Sequence, residues 1–404
     1  MSLVGPYTEG MNETRSIRTV LIVGGGIGGP VLGMWLRRIG LDVVIAAARS
    51  GAAQGEGAFL GVAPNGMNAV AQLPVADGIL EKGHACEAFR FSNRKGAAIG
   101  SIDRSADQKR FGFPLTMIRR GDLHVLLAEA AMRCGVEVCF GKRLVDLDLD
   151  GRASVVATFA DGSQHEADIV VGCDGARSTV RRLVMPDAPG PRPLGLLDCG
   201  GFAPVGDAPL PPGVNEMVFG RRAFFGAFRT ASNEVWWFHN GPLTDRPLDG
   251  EALRTRLLEL HREDPPWIGE LIEATPQLLG PWPLHEMVAM PRWWTGRVCL
   301  LGDAAHAMSP SAGQGASMAF EDALVLARCL RERGDPAPAF GAFERARRSR
   351  VDAITRFARR SGSGKAVQSR FAEWSRDRLL PFFIRLGGPT QDKTYGYRLQ
   401  WDPQ

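Results

Sequence analysis

Near the start of the chain, the pattern of hydrophobic and polar positions predicts a strand, a turn, a helix and a second strand. Residues 18–24 form an apolar run typical of a parallel strand that is buried on both faces. A glycine-rich turn follows, and Pro30 stands at the first helical position, where its missing N–H does no harm. The helix is expected to reach Arg38 and to end at Gly40, with the second strand at residues 43–46. This order indicates an α/β fold with a parallel sheet.

Periodicity along the rest of the chain predicts a second, mixed sheet and a helical C-terminus. Residues 115–134 have the pattern of a strand end followed by an amphipathic helix, and residues 216–240 alternate in short β runs. The stretch 186–215 is rich in Pro and Gly and indicates a change of domain. Residues 297–333 predict a strand, a glycine loop and a long helix. Further strands are expected at 136–140, 144–149, 154–160 and 166–176, and a helix at 251–264.

Composition narrows the class of protein. The chain has 404 residues, 45% hydrophobic and 23% charged, which suits two globular domains or one large composite. The net charge is only +4, and no block of basic residues is interleaved with aromatic residues, which argues against a nucleic-acid-binding protein. The seven dispersed cysteines lack CxxC or zinc spacing, so we expect no metal site and reduced thiols, as in the cytoplasm. No apolar run of about 18 residues occurs, so no stable membrane insertion is expected, and residues 1–17 suggest a flexible tail.

The first glycine-rich turn has the G-x-G-x-x-G spacing that binds a dinucleotide. Gly24 permits the tight turn, Gly26 lets backbone N–H groups approach a pyrophosphate, and Gly29 lets the helix pack closely on the strand. The start of the helix then faces the phosphate with its partial positive charge. The alternative is a glycine turn that merely packs an ordinary α/β unit. At the end of the second strand, where an acid usually binds the ribose, this chain has Ala47.

A second motif spans residues 300–323, "LLGDAAHAMSPSAGQGASMAFEDA". A strand leads to Asp303, whose carboxylate can accept a hydrogen bond from a polyol hydroxyl. Backbone N–H groups at the start of the following helix would face an electron-rich ring edge, and the helix dipole favours an anion there. The candidate cofactor-binding residues of this motif are Gly302, Asp303, Pro310, Gly313, Gln314 and Gly315.

Two further motifs stand between these. "CDGARSTVRR" at residues 173–182 contains Asp174 and Arg177, and "RRGDLHVLL" contains Arg120. Taken alone, Asp174 suits a helix cap and Arg120 a solvated charge. In this order and spacing, over residues 18–330, the four motifs resemble the single-component FAD-dependent aromatic hydroxylases. These are the p-hydroxybenzoate and salicylate hydroxylase type, with the tetracycline- and quinolone-oxidising flavoenzymes.

The resemblance implies an activity. FAD would be the bound cofactor, contacted by Arg120, and Asp174 and Arg177 would lie near its pyrophosphate and near the path of NAD(P)H, the co-substrate. NAD(P)H would reduce the flavin, O2 would add at C4a, and the hydroperoxide would hydroxylate or epoxidise an electron-rich aromatic or polycyclic small molecule. Family members usually have Glu or Asp at position 47. We therefore expect either weaker FAD binding or compensation by Arg49 or Glu56.

The resemblance also places a β-sheet over the flavin, here within residues 190–284. By alternation, Trp237 and His239 share one face while Trp236 and Phe238 share the other, and one face is expected to meet the substrate. The candidate substrate-binding residues are Phe224, Phe225, Trp237 and His239. The three tyrosines, at positions 7, 395 and 397, leave none in this segment to act as a base. His239 or His285 is the candidate catalytic base, unless the substrate is electron-rich enough to need none.

The expected fold is thus a Rossmann-like FAD-binding domain with a mixed β-sheet substrate domain and a helical C-terminus. The FAD-binding domain would comprise residues 18–80, 105–185 and 286–345. The substrate domain would comprise 81–104 and 186–285, and 346–404 the C-terminal helices. The C-terminal segment "LLPFFIRLGG" either closes the pocket or contacts a membrane. The protein is expected to be a monomer or homodimer. The alternatives are a flavin-dependent halogenase, whose W-x-W-x-I-P motif is missing, and a cofactor-poor relative that binds a small aromatic molecule.

Overall fold

A computed structural model describes most of the chain. The described residues are 17–52, 57–150, 153–244, 248, 250–362 and 370–402, without the side chains of 370–372, 383–387 and 389. The predicted tail, apart from Ile17, and Glu56 lie outside the described residues.

The strands and helices follow one another along the whole described chain. The strands are β1 (Thr19–Val23), β2 (Asp42–Ala47), β3 (Phe59–Val62), β4 (His84–Ala85), β5 (Ala88–Asn93), β6 (Ala98–Asp103), β7 (Thr116–Arg119), β8 (Glu137–Phe140), β9 (Leu144–Asp148), β10 (Val155–Phe159), β11 (Gln164–Ala167), β12 (Ile169–Gly172), β13 (Pro191–Pro204), β14 (Val214–Phe219), β15 (Phe224–Arg229), β16 (Glu234–Pro242), β17 (Leu279–Met287), β18 (Trp294–Thr295) and β19 (Val298–Leu300). The helices are α1 (Gly28–Arg38), α2 (Pro64–Val70), α3 (Ala76–Lys82), α4 (Asp107–Phe111), α5 (Arg120–Arg133), α6 (Thr179–Val184), α7 (Gly250–His261), α8 (Pro266–Ala274), α9 (Asp303–His306), α10 (Gly315–Arg333), α11 (Pro336–Gly362) and α12 (Arg370–Tyr395).

The first sheet confirms the Rossmann-like prediction. Its strand order is β18-β19-β12-β1-β2-β8, and all neighbours from β19 to β8 are parallel. The apolar run of β1 is explained by its central position, since Leu21 and Ile22 are both fully buried. Helices α1, α5 and α10 contribute to the same hydrophobic core.

The second large sheet is mixed, as expected. Its order is β17-β13-β16-β15-β14-β5-β6, in which β14 and β5 are parallel and the other pairs antiparallel. Strand β5 therefore pairs with β14, which lies more than 100 positions further along the chain, and β6 pairs with β5 at the edge of the sheet. The division into domains stays a prediction.

Each face of this sheet is covered by a different layer. On one face, Val235 and Trp237 pack in a core with Leu257 of α7 and Ile268 of α8. On the other face, Trp236 lies against Phe59 of β3, with ring centroids 5.7 Å apart. Strand β3 belongs to a small sheet of order β3-β7-β4. The second face is therefore the one that meets the segment leading into α5.

The C-terminal region is helical, as predicted. Helix α11 packs on α10, and Leu380 of α12 packs against a cluster that contains Phe219 and Phe224 of the mixed sheet. Across the described part of the chain, every helix is too short or too polar to cross a lipid bilayer.

Candidate functional site

Three predicted motifs meet at one edge of the parallel sheet. They follow β1, β12 and β19, which are neighbours in the sheet, so that Gly24, Asp174 and Asp303 come after strands that end at the same edge. The glycine turn also contacts the second motif directly, because a Cβ added to Gly28 would lie 3.1 Å from Leu301 Cδ2. In parallel α/β sheets, ligands bind in the crevice at this edge.

The three glycines of the first turn have different surroundings. A Cβ on Gly24, whose φ is +115°, would lie 2.4 Å from the Cys173 carbonyl oxygen, and one on Gly29 would lie 2.1 Å from the Gly24 carbonyl oxygen. A Cβ on Gly26 would have no atom of the described residues within 4 Å. Gly24 and Gly29 are thus required by packing, whereas Gly26 faces open space in front of α1.

Asp174 caps α6 and keeps one oxygen toward the interior. Its Oδ2 accepts hydrogen bonds from the backbone N–H groups of Thr179 at 2.6 Å and Val180 at 3.1 Å. Its buried Oδ1 has no hydrogen-bond partner among the described residues. Burial raises the pKa of this carboxyl, against the effect of its hydrogen bonds.

The second motif surrounds open space as well. The Asp303 side chain is exposed at the residue level, yet desolvation by the surrounding protein raises the pKa of its carboxyl. The charges of His306 and Arg120 act against this rise in pKa. Within the described chain, nothing lies within 4 Å of a Cβ added to Gly313 or Gly315.

The loop of the second motif is held by its own packing. Gly302 has a φ of +61° and packs against Ala319, and Pro310 begins a short 3-10 turn that ends at Gly313. Gln314 is buried, and its Nε2 has no partner in the part of the chain that is described.

These residues fit a flavin dinucleotide. Open space lies at Gly26, Gly313 and Gly315, and buried polar atoms of Asp174 and Gln314 remain to be satisfied. The start of α1 would hold the pyrophosphate, Asp303 would accept from a ribityl hydroxyl, and the start of α10 would face the flavin ring. FAD, when bound, supplies the redox chemistry.

Ala47 ends β2 beside the glycine turn, where an acid would bind the ribose. Its Cβ would lie 2.9 Å from a Cβ added to Gly25. Arg49 is exposed two residues further on, and its carbonyl accepts a hydrogen bond from the Gly141 N–H. Compensation by Arg49 stays a prediction.

Two residues that the sequence did not single out support the cleft. His124 of α5 is hydrogen-bonded through Nε2 to the Gly25 carbonyl oxygen at 2.5 Å, so it positions the first turn. The Asn65 Nδ2 donates to Gln314 Oε1 at 2.9 Å and to Glu321 Oε1 at 2.8 Å. Two sequence features could have indicated these residues: the His directly after "RGDL" and the Pro-Asn pair that opens α2.

Behind the second motif lies a buried network of charges. Arg347 of α11 forms ion pairs of 2.7 Å with both Glu321 and Asp322 of α10, and all three side chains are fully buried. Asp322 also pairs with His306 at 2.6 Å, and His306 lies against the Trp293 ring. His306 is therefore a structural residue beside the cleft.

Three of the four predicted substrate residues face away from the cleft, and this is a correction. Phe225, Trp237 and His239 lie on the face covered by α7 and α8, where Trp237 donates from Nε1 to Thr275. Alternation predicts correctly that Trp237 and His239 share a face, but that face lies against α7 and α8 and not against the cleft. Phe224 lies on the cleft side, with its ring 6.0 Å from that of Phe238.

His239 is not placed to act as a base. It is 3% exposed and its Nδ1 is hydrogen-bonded to His261 Nε2 at 2.8 Å, while His261 Nδ1 bonds to Asp264 at 2.7 Å. Burial lowers the pKa of His239 well below its usual value, and the nearby charges of His261 and Arg256 act in the same direction. His285 is half-buried on edge strand β17, bonded through Nδ1 to the Pro283 carbonyl oxygen, and its role stays a prediction.

Comparison with known proteins agrees with this site. A family model described as an FAD binding domain matches residues 18–358. Aurachin C monooxygenase/isomerase of Stigmatella aurantiaca is 32% identical over 367 residues, covering 90% of this chain and 93% of the relative. The 2-heptyl-3-hydroxy-4(1H)-quinolone synthase of Pseudomonas aeruginosa is 31% identical over 376 residues, with coverages of 90% and 93%.

A solved structure has the same fold. Klebsiella pneumoniae HpxO, complexed with FAD and uric acid, superimposes with a TM-score of 0.82 at 24% identity, covering 94% of this chain and 97% of that one.

The class of protein follows from the cleft and these matches together. The chain belongs to the FAD-binding-domain family of aromatic hydroxylases. It is an FAD-dependent flavoprotein monooxygenase, in a family for which NAD(P)H is the typical co-substrate.

Proposed function

We propose that this monooxygenase hydroxylates, or epoxidises, an uncharged and electron-rich aromatic or polycyclic small molecule. The observation that carries the proposal is the aromatic lining of the cleft-side face of the mixed sheet. The ring centroids of Phe59 and Phe238 are 6.0 Å apart, and those of Phe238 and Phe224 are also 6.0 Å apart. The Trp236 ring lies against Phe59 in the same group. Such rings suit a flat aromatic substrate that stacks or packs edge to face.

One pair of opposite charges lies along this wall. Arg119 forms an ion pair with Glu234 and lies 4.2 Å from the centre of the Phe202 ring. Glu234 also accepts a hydrogen bond of 2.7 Å from Trp236 Nε1. Because the Arg119 guanidinium already forms an ion pair with Glu234, it would bind a substrate carboxylate weakly. This pairing favours an uncharged substrate.

The quinolone type is the first candidate. His239 is turned away from the cleft, so a substrate that is already electron-rich fits better than one that must first be deprotonated by that residue. Two of the relatives support the choice. One is named for aurachin C and the other for a heptyl-substituted 4(1H)-quinolone.

We also propose the remaining features of the reaction and its setting. O2 would be the oxidant. NAD(P)H would approach past a cavity of about 410 Å³ that is lined by Arg177, Arg181 and Arg182 and therefore attracts anionic phosphates. The free cysteines support a reducing compartment, the cytoplasm, and the protein would be a monomer or homodimer.

The test is a screen of NAD(P)H consumption with added FAD and a panel of alkylquinolones, phenols and benzoates. We expect coupled hydroxylation of neutral bicyclic compounds and little turnover of benzoates. Faster turnover of benzoates than of every neutral compound would refute the proposed substrate class.

A further inference from the structure

One polar pair interrupts the aromatic lining of the cleft-side face. The Asn240 Nδ2 donates to Asp198 Oδ1 at 2.7 Å. Asp198 of β13 stands directly opposite Asn240 of β16, which stands opposite Phe224 of β15. Residues that are directly opposite in neighbouring strands point to the same face of a sheet. Asp198 and Asn240 are therefore in one row with Phe224, and Asn240 is 3% exposed whereas Asp198 is half-buried.

The position of Asp198 along β13 places it over the cleft. Two residues away, about 7 Å along the strand, a Cβ added to Gly200 would lie 3.2 Å from Ala58. Ala58 accepts a hydrogen bond from the Arg120 N–H, so this end of the strand borders the first half of the cofactor cleft. Toward the other end, β13 pairs with Met287, whose N–H donates to the Ala307 carbonyl oxygen just after α9. Asp198 thus lies between the two halves of the cleft.

We propose that Asp198 is the hydrogen-bond acceptor for a ring N–H or O–H of the substrate, and that Asn240 positions its carboxylate. The inference rests on the proposed function, since it assumes an aromatic substrate against Phe224 and Phe238. A carboxylate offers about four acceptor positions, so a single bond to an amide N–H does not fill it.

The proposed contact has a chemical consequence. When the carboxylate is ionised, a hydrogen bond from the substrate to it is charge-assisted and shifts electron density from the donor group into the ring. The proton stays on the substrate, so the step needs no further reactant. An electron-rich ring is the one that accepts an electrophilic oxygen atom. Asp198 would accordingly favour substrates that carry a donor on the ring, as a 4(1H)-quinolone does.

The test compares ligands that do and do not carry the donor. 2-Heptyl-4(1H)-quinolone and 1-naphthol, each beside its N-methyl or O-methyl counterpart, are titrated into the FAD-loaded enzyme, and binding is followed by the flavin absorption spectrum. The variants are Asp198→Asn and Asp198→Ala, with Asp207→Asn as the matched control because Asp207 is an exposed carboxylate in the turn after the same strand. FAD content and thermal unfolding show that each variant is folded.

We expect both Asp198 variants to weaken binding of a donor-bearing ligand about 10- to 100-fold. The methylated counterpart should bind weakly to every form, and Asp207→Asn should change neither. A variant that weakens both members of a pair equally, or a wild-type enzyme that never prefers the donor-bearing member, overturns the role of Asp198. Failure of the proposed function would appear separately, as binding of the quinolone without stimulated NAD(P)H oxidation.

Discussion

Gly26 and Gly29 differ in what an added methyl group would meet. At Gly29 the methyl would overlap the Gly24 carbonyl oxygen, whereas at Gly26 it would enter open space, where the pyrophosphate of FAD is expected. We expect Gly29→Ala to lower the free energy of unfolding by roughly 1–3 kcal/mol. Gly26→Ala should leave the FAD-free protein equally stable but weaken FAD binding at least about tenfold. Denaturant unfolding without FAD, and a fluorescence titration with FAD, measure the two effects. Equal losses of stability in the two variants would contradict this assignment.

Ala47 gives a second prediction for the cofactor. A carboxylate at this position can accept a hydrogen bond from the adenosine ribose, and such bonds contribute about 1.5–3 kcal/mol. We expect Ala47→Glu to bind FAD about 10- to 100-fold more tightly.

The measurement is the dissociation constant of FAD in both forms. Ala48→Glu is the control, because this substitution adds the same charge one residue further on, at an exposed position. Unchanged affinity in Ala47→Glu would show that another group already holds the ribose.

At the scale of elements, α10 and α11 are joined by the buried charges of Arg347, Glu321 and Asp322. Removal of the guanidinium takes one buried ion-pair partner from each carboxylate, so that Glu321 keeps Arg350 and Asp322 keeps His306. We expect Arg347→Ala to lower the free energy of unfolding by about 3–5 kcal/mol. Urea denaturation measures it. Arg133→Ala, which breaks the exposed pair with Glu129 on α5, should cost less than about 0.5 kcal/mol, and a similar loss in both variants would argue against the network.

The elements also show how far the sequence could predict the molecule. The strand β1, its glycine turn and α1 were predictable because a central parallel strand is uniformly apolar and the turn has a fixed spacing. Strand β13 was hidden by its prolines. Pro191 and Pro193 lie at its N-terminal end, where the pairing with β17 is irregular and their missing N–H groups do little harm.

The face that meets the substrate could not be chosen from the sequence. Alternation shows that Trp236 and Trp237 point in opposite directions, but both are almost fully buried. Helices α7 and α8 bury one face and the cleft wall buries the other, so both faces have aromatic residues. Only the tertiary structure distinguishes them.

At the scale of the whole molecule, the burial of His239 makes stability depend on pH. His239 has a pKa well below its ordinary value in the folded protein because it is buried, whereas in the unfolded chain it titrates near pH 6.5. Below that pH the unfolded state binds the extra proton, so stability is lost as the pH falls from 7 to 5, by up to about 1.4 kcal/mol per pH unit.

The measurement is denaturant unfolding at several pH values. His239→Gln keeps a hydrogen-bond donor toward His261 but does not titrate, so its stability should fall less steeply between pH 7 and 5. Identical slopes in both proteins would show that other groups cause the pH dependence.

The convergence of β1, β12 and β19 at one edge also bears on synthesis of the protein. The segments that are expected to hold the two ends of FAD are almost 300 residues apart, from Gly24 to Gly315. A nascent chain therefore cannot retain the cofactor until α10 has left the ribosome, and a protease that cuts between the two segments and separates them would release it. Bound flavin colour accordingly indicates that the chain has been made at least as far as α10 and that the two segments have come together.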